Sequence, residues 1–116
     1  MFHHRIENTW SASEVIREVD RRPHLLTRVT VTGRFVHRAT VPVVRIVGEA
    51  TINCWFAEIS ADGKEMRGYF RDRLPHAGFV EFGYADEPLQ RLPLRWEDKA
   101  IVRLDRKRLT VAKTLR

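Results

Sequence analysis

Two short runs of this chain set arginines in a polar row of alternate residues, one of them with a tyrosine between its arginines. Arg28, Thr30, Thr32 and Arg34 alternate with Val29, Val31, Gly33 and Phe35, so an extended backbone sends the polar set to one side. Arg67, Tyr69 and Arg71 alternate with Met66, Gly68 and Phe70 in the same way. Guanidinium groups on an open sheet face bind phosphate oxygens, and a ring between them stacks on a base. A third basic run, RLDRKRLTVAKTLR (103–116), adds Arg106, Lys107 and Arg108 as sequence-independent attraction. Arginine and tyrosine are also ordinary on solvated faces, and Glu65 shares the face of Arg67 and blunts its field.

Other chemistry finds little footing. His3, His4, His24, His37, His76 and Cys54 are the soft-metal ligand types present, and none forms a zinc-site spacing. No cofactor motif is recognisable, and no GxSxG, HExxH or phosphate-cradling glycine loop occurs. His37 continues the inward phase of Val29, Val31 and Phe35, which predicts a half-buried imidazole; an acid–base role with Glu49, Glu58 or Asp72 has no local support. Cys54 lies beside Trp55 and Phe56 in an apolar stretch, where a thiol acts as packing rather than as a nucleophile. No catalytic residue is assigned. GFVEF (78–82) is similar to the end of an RNA-recognition RNP1 motif, but Pro75, His76 and Ala77 break the match upstream.

The charge is unevenly placed. The net charge is +6, and residues 99–116 alone hold seven basic groups against one acidic group. Residues 1–45 carry eight basic and four acidic groups, while 46–98 carry six and ten. Folding could bring the basic blocks together as one positive face, able to hold a polyanion or to pair with a second copy.

The elements that must position these residues read as one helix followed by strands. Ser11 and Glu14 form a capping-box pattern, Val15, Ile16 and Val19 cluster on one helical face, and Pro23 ends the run. This predicts a helix over about 12–22. From about residue 26 the period falls to two, with strands running to about residue 113. These include a β-rich stretch over 43–59 that breaks near Gly48, a hairpin turn at Asp62-Gly63, a strand over 79–84, and a final pair over 99–104 and 109–113.

One domain fits the 116 residues. The expected fold is mainly β, a small antiparallel barrel or roll of oligonucleotide-binding or SH3-like shape, carrying the N-terminal helix. The expected function is a non-enzymatic module binding nucleic acid or another polyanion through Arg28, Arg34, Arg67, Tyr69, Arg71, Arg106, Lys107 and Arg108. The alternative is an interaction or assembly module, a homodimer or a complex with another protein, built around an apolar surface carrying Trp10, Trp55 and Trp96. A lone cysteine, no membrane-length apolar run and a polar N-terminus point to the cytoplasm.

Overall fold

The computed structural model describes residues 8–95 and two short segments, Asp105–Arg106 and Arg108–Leu109. Eight strands follow one another in the main body: β1 (Thr9–Val19), β2 (Arg22–Thr32), β3 (Pro42–Val47), β4 (Thr51–Asn53), β5 (Phe56–Ile59), β6 (Glu65–Phe70), β7 (Ala77–Tyr84) and β8 (Gln90–Arg95). They form two antiparallel sheets, ordered β1-β2-β6-β5 and β4-β3-β7-β8. The short segments, β9 (Asp105–Arg106) and β10 (Arg108–Leu109), pair with each other. The mainly β reading holds. The final pair expected over 99–104 and 109–113 lies outside the described residues, apart from Leu109.

The expected helix over 12–22 is replaced by strand β1, and no helix occurs among the described residues. Val15 and Val19 serve either period, but Arg17 falls between them on the same strand face. A helix of this length needs a surface to pack on. A strand instead gains a full ladder with β2, from Thr9↔Thr32 to Val19↔Arg22. The connecting turn has two residues, Asp20 and Arg21, both at positive φ (54° and 66°). That is the mirror-image turn whose twist matches antiparallel strands. Its usual sequence signal, a glycine in the second position, is missing here.

The two sheets pack face to face. Val29, Val31, Met66 and Phe70 from the first meet Val44, Ile46, Val80, Phe82, Tyr84 and Leu94 from the second, all buried. Gly68 lies where the layers come closest: a Cβ there would stand 2.6 Å from Val44 Cβ. The sheets share a bent strand on one side. Cys54 N–H donates to Val44 O across 3.2 Å, and the next residue, Trp55, donates to Tyr69 O across 2.6 Å. The chain therefore leaves the second sheet and joins the first within one residue, a corner of the kind that joins packed sheets.

On the opposite side the expected barrel stays open. No ladder joins β1 to β8 among the described residues, although Trp10 Nε1–H donates to Pro93 O across 2.9 Å. Pro93 sits within β8, an edge strand where a missing N–H is tolerated. The architecture is thus two packed antiparallel sheets with one continuous corner and one clasped seam.

Both turn residues being non-glycine yields a direct test. An L-residue in the left-handed region costs about 1–2 kcal/mol, against a somewhat smaller entropic penalty for glycine in the unfolded chain. Arg21→Gly is expected to stabilise the fold by about 0.5–1 kcal/mol, raising the melting temperature by about 3–5 °C. A scan showing no rise or a fall would contradict this turn geometry.

Candidate functional site

The outer face of the first sheet gathers the two cationic rows into one surface. Pairing of β2 with β6 sets Arg28 opposite Tyr69 and Thr30 opposite Arg67, and Phe56 and Glu58 of β5 continue those rows. The ladder with β1 adds Ser13 beside Arg28. Two runs that lie about forty residues apart in the chain thus become neighbours.

At the centre of this face stands the carboxylate of Glu58. It accepts from the Tyr69 hydroxyl across 2.8 Å and from the two terminal nitrogens of Arg17 across 3.3 and 3.5 Å. Arg67 lies 3.8 Å away and is held more tightly by Glu65 at 2.6 Å. Partial burial alone would raise the Glu58 pKa. The Tyr69 hydroxyl, the Arg17 hydrogen bond and the charges of Arg17 and Arg67 outweigh it, so the group titrates below the usual carboxylate range. Arg17 also lies over the rings of Phe56 and Tyr69, 5.3 and 4.6 Å from their centroids. Those rings stack on each other at 4.6 Å with a 15° tilt.

Burial changes the role expected of Tyr69. Its side chain is 1% exposed, enclosed by Phe56 and Arg17, and offers no free ring face to a base. Trp55 takes the position at the edge of this surface. Arg71 lies 4.4 Å above its indole, and His24 and Phe56 meet it edge-on at 5.0 and 5.9 Å. Arg28 forms no ion pair among the described residues, and its Nε is buried with no hydrogen-bond partner.

The remaining expectations fall elsewhere. Arg34 lies beyond the end of β2, exposed, and lines a separate cavity of ≈ 340 Å³ with Phe35, Arg38 and Tyr84. Arg106, Lys107 and Arg108 carry no described side chains, and Trp96 lies outside the described residues. His37 is exposed rather than half-buried, because the chain leaves the ladder after Thr32; its Nε2 meets Ser60 O at 3.1 Å. It is therefore not paired with Glu58. Burial pushes the Cys54 thiol up, with backbone hydrogen bonds opposing, which matches a packing role. Among the described residues no group of three histidine, cysteine or acidic side chains could hold a metal ion.

Sequence reasoning missed Arg17 and the hub role of Glu58. The signal was present: Val15, Arg17 and Val19 alternate at period two. It also missed an ionic row on the second sheet, where β3, β7 and β8 align Arg45, Glu81 and Arg91. Arg45 Nε donates to Glu81 across 2.7 Å and Arg91 donates across 2.5 and 3.2 Å, leaving the carboxylate side chain only 9% exposed.

That row makes a pH prediction. Hydrogen bonds from Arg91 and then Arg45 hold the Glu81 carboxyl below its ordinary range. A depressed folded pKa stabilises the protein fully above the unfolded value, about 4.3 for glutamate. The contribution is lost as pH falls below that value and through the lower folded one. Glu81→Gln is expected to cost about 1–3 kcal/mol at pH 7. The variant should lose less stability than wild type between pH 5 and pH 3; parallel pH curves from urea unfolding would contradict the assignment.

No protein-family model, no curated protein and no solved structure matches this chain.

Proposed function

We propose that the outer face of the first sheet binds a single-stranded nucleic acid, or a polyanion of like charge density. The observation that carries this reading is the β2–β6 register. It sets Arg28 and Arg67 on adjacent strands, with Arg17 reaching over the Tyr69 ring and Arg71 beside Trp55. Four arginines then share the face with two carboxylates, Glu58 and Glu65. Arg17 and Arg67 are tied to those carboxylates and hold the platform in shape. Arg28 and Arg71 contact phosphates, and Trp55 replaces Tyr69 as the ring on which a base stacks once Arg71 turns from the indole to a phosphate. Arg34, Arg106, Lys107 and Arg108 add longer-range attraction. A reducing, cytoplasmic setting belongs to this proposal and rests on the single Cys54. No described helix is long and apolar enough to cross a membrane.

The test is fluorescence anisotropy with a labelled single-stranded oligonucleotide at several salt concentrations. Binding should weaken linearly in log salt, and Arg71→Glu should lower that slope by about one or more. Trp55→Leu should weaken binding by about 1–3 kcal/mol while sparing the salt slope. Absence of binding at 20 mM salt would overturn the proposal.

A second reading, self-association, is favoured by one observation. Beyond the part of β2 covered by β6, Ile16 and Leu25 face each other across the hairpin, 71% and 65% exposed. Each forfeits about 1.5–3 kcal/mol of burial where it stands. A homodimer burying this pair would sediment as a dimer, and Ile16→Lys would return it to a monomer. Trp10 and Trp55 do not supply an open apolar surface, since one clasps the seam and the other is covered by Arg71.

A further inference from the structure

The second sheet carries a cleft that neither reading above uses. The turn joining β3 to β4 and the loop joining β6 to β7 face each other across a space of ≈ 850 Å³, within the range of small-ligand sites. Its walls are fixed by backbone contact. A Cβ on Gly48 would lie 3.2 Å from Ala77 O, and one on Gly78, at φ +135°, would lie 2.1 Å from Val47 O. Ile52 and Leu74 line the cleft while packing against the main core, and Phe79 is 37% exposed within it.

Two guanidinium groups border this apolar floor. Arg91 lies 4.3 Å over the Phe79 ring and engages Glu81 through Nε and Nη2, which leaves its other amino group without a hydrogen bond among the described residues. Arg73 makes no hydrogen bond or ion pair among the described residues, and it lines the same cleft. Glu49 and His76 complete the polar rim. Glu49 discourages a ligand of high negative charge, while the two arginines favour one negative group. The apolar floor asks for a hydrocarbon body behind that group. We propose that this cleft binds an amphipathic organic monoanion, with an aliphatic or aromatic carboxylate placed against Arg73 and Arg91 and its apolar body over Ile52, Leu74 and Phe79.

The experiment compares decanoate with decanol by amide-resolved NMR titration of the full chain. Decanoate should shift amides of residues 47–52 and 73–79 and saturate, with decanol binding at least about fivefold more weakly. Arg73→Ala, a change on an exposed loop, should weaken decanoate by about five- to tenfold and leave decanol unchanged. Three results would each overturn the proposal: unmoved cleft amides, equal affinity for the two ligands, or an Arg73→Ala variant that binds decanoate like wild type. The cleft and the first-sheet face share only the β6–β7 loop, from which each takes a different arginine, Arg73 and Arg71, so oligonucleotide binding and decanoate binding succeed or fail separately.

Discussion

One bent strand makes a single body out of two sheets. Thr51–Asn53 pairs with β3, Phe56–Ile59 pairs with β6, and the transfer occurs between Cys54 and Trp55. The layers must then approach closely near this corner, and Gly68 is the residue that lets them, with Val44 filling the place of its absent side chain. Everything on the outer face of the first sheet inherits its position from this corner. Trp55 stands at the edge of that face because the chain has just crossed over, and Phe56 and Glu58 follow in phase. Without the crossing, Glu58 would not lie within reach of Arg17, Tyr69 and Arg67.

The corner also fixes the opposite side. With Thr51–Ile59 counted as one strand, strand direction alternates from β1 through β2, β6, the bent strand, β3 and β7 to β8. The two outermost strands therefore run in the same sense. Closure would demand a parallel pairing between an edge carrying Pro93 and an edge rich in charge. A proline supplies no N–H to such a ladder, so the seam relies on a side chain, the Trp10 indole donating to the Pro93 carbonyl. The charges of Glu14, Arg17 and Glu18 along β1 are the usual guard of an unpaired edge.

Much of this was readable from local pattern, and the failures share one cause. Alternation marked β2, β6 and β7 because one side of each is buried in the core, and Asp62-Gly63 marked its turn because Gly63 needs a φ of 74°. The stretch from Ala12 to Val19 fits either period, since Val15 and Val19 lie on one side of a helix and on one side of a strand. What decides between them is the partner β2 and a two-residue turn that lacks the glycine such turns favour. Ile16 misled further, as an apolar residue that the fold leaves exposed. Strand β8 was hidden by its proline, legible only when one knows that the strand lies at an edge. On the candidate face, the residue types were legible but their partners were not. Arg28 and Arg67 were read as cations on separate rows, and only the register makes them neighbours.

That register also divides the arginines by task. A guanidinium with a carboxylate and a ring against it has committed much of its donor set and one flat face within the fold. This describes Arg17 on Glu58 and Tyr69, Arg38 on Asp86 and Tyr84, and Arg91 on Glu81 and Phe79. Each covers an aromatic side chain that would otherwise meet water, so a positive charge doubles as a lid over apolar surface. Arg28, Arg71 and Arg73 have no carboxylate among the described residues. Net charge cannot distinguish the two groups, because both carry the same formal sign. Of the first group, Arg91 alone keeps an amino group over among the described residues, beside Arg73. The second group is the freer to hold an external anion, while the first sets the shape of the faces on which that group stands.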